Sequence, residues 1–163
     1  MRCDGSRDAT NGGETVRGRT LFGLLVTIAA LCAVGCSAAS AGQPSLEDTG
    51  WVLQEYGEPG DLEPVLESRL PTLFFQAEGE VRGSAGCNTY FGSYTYSSDG
   101  QLSITDMGAT EAYCEEEGVM EQEEAFLEAL RLAEEYEIEN DEIMRIAGGG
   151  KLLVLLNNCL CTD

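Results

Sequence analysis

Polar and apolar positions alternate along most of this chain and switch once to a helical period. Over residues 49–56 the alternation places Trp51 and Leu53 on one face of a strand. Residues 57–64, rich in Gly, Pro and acids, read as a loop. An apolar strand over 72–77 (Leu73, Phe74, Phe75) turns back at Glu78-Gly79 into a strand over 81–85. Residues 90–97 read as an aromatic-rich strand with Tyr90, Tyr94 and Tyr96 on one face, and Ser98-Asp99-Gly100 is a hairpin turn into 102–104. The period then lengthens. Val119, Phe126, Leu127, Leu130 and Ala133 follow helical spacing within 115–133, and Glu115, Glu116 and Glu117 crowd the expected N-terminus, where the helix dipole favours negative charge. Beyond it, 136–139 and 143–147 make a hairpin around Asn140-Asp141, Gly148-Gly149-Gly150 turns again, and 151–156 reads as a buried strand. The three glycines have no helix and no Lys-Ser/Thr pair after them, so they are a turn and not a phosphate loop. The sum is an α+β domain: a curled antiparallel sheet of meander hairpins packed by one helix.

A segment of another kind precedes this domain. Arg17 and Arg19 are followed by an apolar run over 21–34, which is short of the roughly 20 residues that cross a bilayer as a helix. Basic flank, short apolar core, small residues and then a cysteine resemble the signal peptide and lipobox of a bacterial lipoprotein. The box itself is Ala33-Val34-Gly35-Cys36, with Ala where Leu is commoner. On this reading residues 1–35 are the signal peptide and Cys36 is the lipidated first residue of the mature chain. The protein would then be lipid-anchored in the cell envelope, on the extracytoplasmic side of a bacterial membrane. Plain secretion and an uncleaved anchor are the alternatives. Small polar residues over 36–46 read as a flexible tether, 47–157 as the domain and 158–163 as a tail.

Charge narrows the function classes. The chain has 29 acidic and 9 basic residues, net −20, and only Arg69, Arg82, Arg131, Arg145 and Lys151 among the basic ones follow Cys36. Such a surface repels phosphate, so nucleic acid is not a partner. The domain is not expected to lie flat on anionic lipid either. There is no histidine, which removes the commonest general base and metal ligand and rules out a Ser-His-Asp or Cys-His centre. No segment has the spacing of an EF-hand loop. No cofactor or metal site and no catalytic residue is expected. Paired carboxylates stay open as a hydrolase chemistry, though acids are too abundant for one pair to stand out.

Seven cysteines divide into groups. Cys3 and Cys32 would leave with the leader and Cys36 would carry lipid. In an oxidising compartment Cys87, in the turn Gly86-Cys87-Asn88, and Cys114, just before the helix, are expected to pair. Two reduced buried thiols are the rival reading. Cys159 and Cys161, at i and i+2, point the same way in an extended chain and are poorly placed to bond each other.

Five motifs in order then carry a family resemblance. They are Thr49-Gly50-Trp51-Val52-Leu53, the stretch from Gly83 through Gly86-Cys87-Asn88 to Tyr90, Thr110-Glu111-Ala112-Tyr113-Cys114, Met120-Glu121-Gln122-Glu123 with Phe126-Leu127 and Ala129-Leu130, and Tyr136-Glu137-Ile138. This resembles the META domain family, also called HslJ-like or DUF306, over nearly the whole of 49–156. The resemblance implies a barrel-like sheet with one helix, often behind a lipoprotein leader, and no known catalysis. It implies an envelope protein associated with heat shock and antibiotic tolerance, with partner or lipid binding suggested by similar folds. Trp51, Phe74, Phe126 and Leu130 read as core. Asn88 reads as a turn cap, and with Tyr90, Tyr94 and Tyr96 it is the candidate binding face for a partner protein or apolar ligand. Competing functions are a carboxylate-based envelope hydrolase and a purely structural stress protein.

Overall fold

The computed structural model describes residues 42–158. The elements run β1 (Thr49–Glu58), β2 (Asp61–Pro64), β3 (Thr72–Phe75), β4 (Glu80–Ser84), β5 (Thr89–Tyr96), β6 (Leu102–Ala109), α1 (Val119–Arg131), β7 (Glu135–Glu139), β8 (Ile143–Gly148) and β9 (Lys151–Asn157). All strands join one antiparallel sheet in the order β6-β5-β4-β3-β1-β9-β8-β7, with β2 set against β1. The meander is broken once, where β1 takes the last strand as its neighbour in the register Leu53 to Leu155.

The sheet curls until its two ends meet at one point. Gln101 bridges Glu135. The Leu102 amide donates to the Glu134 carbonyl at 2.9 Å, and the Tyr136 amide donates to the Gly100 carbonyl at 2.7 Å. These contacts close one end of the barrel. Alternation along each strand sends Trp51, Leu53, Leu73, Phe75, Leu153 and Leu155 to the concave side, where all are buried with Phe126 and Leu130 of the helix. The curled α+β fold read from the sequence is therefore the fold of the protein.

Several local readings are corrected. Residues 57–64 are a hairpin and not a loop: Glu58 pairs with Asp61 across Pro59-Gly60, and Gly60 has φ 93°. Pro followed by a left-handed Gly is a tight-turn signature, so the loop signal came from the turn alone. The helix starts at Val119, four residues later than expected, because Gly118 sits at φ 84° and breaks the helical path. Glu115, Glu116 and Glu117 precede it, and Glu121 is the acid of its first turn. The strand over 151–157 buries Leu153 and Leu155 but leaves Leu156 41% exposed, so it is apolar on both faces and buried on one. Phe74 likewise points to the convex side and is only half-buried.

The expected tether over 36–46 is also shorter than read. Gln43 donates its amide to Ser98 O at 2.7 Å and accepts the Ile138 amide at 2.8 Å on its side chain. Pro44 O accepts from the Tyr136 hydroxyl, Ser45 bonds the Tyr96 hydroxyl at 2.9 Å, and Leu46 is fully buried in the core. Residues 43–46 thus belong to the fold and cover the edge of β7. Leu46→Ala is expected to destabilise the domain by about 2–5 kcal/mol, the usual loss for a large aliphatic core residue. Urea unfolding measures this, and an unchanged midpoint would remove the segment from the core.

Candidate functional site

The residues read as a binding face lie inside the barrel. Tyr90 and Tyr94 are 2% and 4% exposed, and Asn88 is 3% exposed. Tyr96 is half-buried against the same core. The three rings do share one face, but it is the concave one. Phe75 packs edge-on to Tyr94 at 4.8 Å, Tyr94 stacks on Tyr96 at 5.9 Å, and Tyr96 meets Tyr136 at 6.3 Å. Two of their hydroxyls reach backbone carbonyls, Tyr90 donating to Thr72 O in β3 and Tyr94 to Gln76 O just after it, each at 2.9 Å, while the Tyr96 hydroxyl bonds the Ser45 side chain. Periodicity assigned the face correctly and its exposure wrongly. Tyrosine suits both a wet face and a dry one with a partner for its hydroxyl.

Burial raises the Tyr90 phenol well above its ordinary value and raises Tyr94 from 10.0 to about 12, the latter helped by Glu47, Tyr96 and Asp48. A group whose folded pKa is raised stabilises fully below its unfolded pKa and loses that contribution as pH rises through the folded one. Stability is therefore expected to fall as pH climbs from 10.0 toward 12. Ultraviolet phenolate titration alongside circular dichroism checks this. Tyr90 ionising while the fold persists would contradict the buried assignment.

Asn88 is the centre of a buried polar cluster. Its Oδ1 accepts from the Thr110 hydroxyl and the Ala112 amide, each at 2.7 Å. Its Nδ2 donates to Ala112 O at 3.0 Å and to Glu123 Oε1 at 2.6 Å. Glu123, 6% exposed, also accepts the Cys87 and Asn88 amides on Oε2 at 3.0 and 2.7 Å. At the preceding position on the same helix, fully buried Gln122 accepts the Leu66 amide at 2.7 Å and donates to Arg69 O at 2.8 Å. The helix thereby holds two loops by their backbones, and Asn88 ties in a third at Ala112. Outside this cluster, Glu116 bonds Ser68 and Arg69, and those two contacts, Ser68 first, hold its carboxyl below the usual range.

Cys87 and Cys114 form a disulfide beside this cluster, with Cα atoms 5.9 Å apart and a sequence separation of 27. Closing a loop of that length stabilises by roughly 3–4 kcal/mol in the chain-entropy account. Gly83 and Gly86 are explained here as well. A Cβ on Gly83 would lie 1.9 Å from Thr72 O, and Gly86 adopts φ 121°. Sequence reasoning missed the roles of Gln122 and Glu123. Their signal was present: Gln122 leads Phe126 and Leu130 by one and two turns, polar at the head of a buried stripe.

Every polar group of the cluster is engaged within the protein, and among the described residues no buried side-chain nitrogen or oxygen lacks a partner. What remains open to ligands lies on the surface. One groove of about 350 Å³ runs between the β1–β2 hairpin, α1 and β9, with Tyr56 and Leu153 inside and Glu58, Glu63, Glu121 and Lys151 at its rim. A second hollow of about 390 Å³ lies on the convex face around Arg82 and Phe91. Among the described residues no three His, Cys, Asp or Glu side chains converge to hold a metal. Cys36, Cys159 and Cys161 lie outside the described residues. Within those residues no helix is long and apolar enough to cross a membrane.

A family model described as META domain matches residues 44–158. A protein from Burkholderia xenovorans, solved by NMR, is similar at 26% identity and TM-score 0.60, over 70% of this chain and 84% of that one. A second NMR structure is similar at 20% identity and TM-score 0.54, over 67% of this chain and 88% of the other, a likeness of fold. No curated protein sequence matches the chain.

Isosteric Glu123→Gln would turn an amide donor toward amide donors. We expect it to cost about 1–3 kcal/mol, the penalty of unsatisfied buried polar groups. Thermal unfolding of the oxidised protein measures the loss. A variant as stable as the parent would show that the carboxylate is not a structural tie.

Proposed function

Because this chain belongs to the META domain family, we propose that it is a non-enzymatic, lipid-anchored cell-envelope protein, associated with stress or antibiotic tolerance, that binds a partner protein or an apolar ligand. The observation that carries this reading is the Cys87–Cys114 disulfide in a chain whose N-terminal segment ends in a lipobox-like run. Such bonds persist outside the reducing cytoplasm. A binding role suits a concave side filled by side chains and a chain with no histidine to serve as a general base.

The acidic groove favours one other reading. Glu63 and Glu121 line the groove together with Tyr56, whose phenol is raised by burial first and then by these two carboxylates. A carboxylate-based hydrolase would have its centre there, and Glu63→Gln with Glu121→Gln would abolish its turnover of envelope glycans.

Intact mass of protein extracted from membranes, with and without thiol alkylation, tests the main reading. We expect a mass for residues 36–163 plus acyl groups, with Cys87 and Cys114 protected until reduction. An unacylated mass with every thiol free would overturn it.

A further inference from the structure

The helix leaves one part of the concave side unfilled. Past the bulge that follows Leu53, β1 turns Tyr56 and Glu58 inward. Leu153 of β9 and Glu63 of β2 lie opposite Tyr56, and Asp61 lies opposite Glu58. Residues directly opposite across a ladder share a face, so these five side chains stand on the side against which α1 packs. The helix brings Glu121, Ala125 and Ala129 to the same groove at a spacing of four, one stripe along its surface. Phe126 and Leu130 fill the neighbouring core, but two alanine methyls are too short to do so here. A groove of about 350 Å³ stays open, with the Tyr56 ring, Leu153 and the alanines as its apolar floor.

The walls of that groove carry charge that the domain does not neutralise. Glu58, Asp61 and Glu63 on the hairpin and Glu121 on the helix are exposed, and none is in an ion pair among the described residues. Glu58 faces Asp61 directly across the hairpin, an arrangement that is destabilising while no cation lies near. Arg69 holds Glu116, Arg145 holds Glu139, and Arg82 and Arg131 line other hollows. Lys151 lines the groove, but its ammonium sits 3.8 Å from Glu128, which does not. Among the described residues no three acids converge as metal ligands do, so a bare metal ion does not fit. An apolar floor between acidic walls suits a cation on an apolar stem, which is the side chain of Arg or Lys. The Tyr56 ring offers such a cation a further attraction.

We propose that this groove docks a segment of a partner protein that lays an Arg or Lys among apolar side chains. The stem covers the alanines and Leu153, and the cationic head meets the carboxylates of both walls. A second copy fits poorly, since two chains of net charge −20 repel. The inference rests on the partner-binding reading above and adds the place and the chemistry of the partner.

The test is fluorescence anisotropy of the full-length chain with a labelled peptide of alternating Arg and Ala, at physiological salt so that diffuse attraction is screened. The same peptide with Gln for Arg is the control ligand. We expect the Arg peptide to bind and the Gln peptide not to. Glu63→Gln with Glu121→Gln should weaken binding at least about tenfold, as loss of interfacial charge pairs does. Glu115→Gln with Glu117→Gln makes the same change in net charge outside the groove and should leave binding within about twofold. Ala125→Leu keeps every charge, fills the floor and should weaken binding at least as much as the groove pair. All three variants should melt close to the parent. No binding of the Arg peptide overturns the proposal, and so does equal binding of the Gln peptide. Equal losses in the two charge pairs, or indifference to Ala125→Leu, also overturn it, and so does displacement of the peptide by an equal concentration of spermidine. If the acylated, disulfide-closed mass is found and the peptide does not bind, only the groove falls. If that mass is not found, the envelope reading falls whatever the groove binds.

Discussion

A single buried carboxylate organises the joint between helix and sheet. Glu123 accepts the amides of Cys87 and Asn88 and the side-chain amide of Asn88, so one charge satisfies three donors from the same turn. Burying a charge is costly unless it is bonded on all sides, and here the bonding is complete. Asn88 then passes the constraint on to Thr110 and Ala112, and the Cys87–Cys114 bond fastens the same two loops covalently. Gln122 secures Leu66 and Arg69 from the next position on the helix. The helix can sit in the concavity only because these side chains replace the hydrogen bonds that the loop backbones would otherwise make to water.

This arrangement decides where function can reside. Asn88, Gln122 and Glu123 of the motifs are buried and spend their bonding capacity on the fold, while Tyr113 is 78% exposed. Tyr90, Tyr94 and Tyr136 also serve the fold, each hydroxyl tying its strand to the backbone of another segment. Among the described residues the groove beside Tyr56 and the hollow around Arg82 are open surfaces, and the Asn88–Glu123 cluster lies outside both.

The strands were legible wherever one face is buried, because Trp51 and Leu53 or Tyr90 and Tyr94 then repeat at period two. Legibility failed where two causes give the same pattern. Strand β9 is apolar on both sides, and continuous apolarity does not distinguish a strand buried twice from one whose second face is exposed. Phe74 read as core for the same reason, since aromatic residues serve core and surface alike. The β2 hairpin was hidden by its own turn, and the start of the helix was misplaced because the reading runs on across Gly118, which sits at φ 84° just before Val119. The Cys87–Cys114 pairing was legible, because with Cys36 assigned to lipid and Cys159 and Cys161 to the tail these are the two cysteines left inside the domain of an exported chain. The polar cluster was not, because Glu123 is one glutamate among many, and only tertiary packing selects it for burial.

Native-state hydrogen exchange on the oxidised protein tests the central claim directly. The amides of Leu66, Cys87, Asn88 and Ala112 bond only side chains of Gln122, Glu123 and Asn88. If those side chains are structural ties, all four amides should exchange only through global unfolding, at the slow rate of the core strands. Glu123→Ala should release Cys87 and Asn88 first. Fast exchange at these four positions in the parent protein, with the strands still protected, would contradict the account and leave the cluster free for another role.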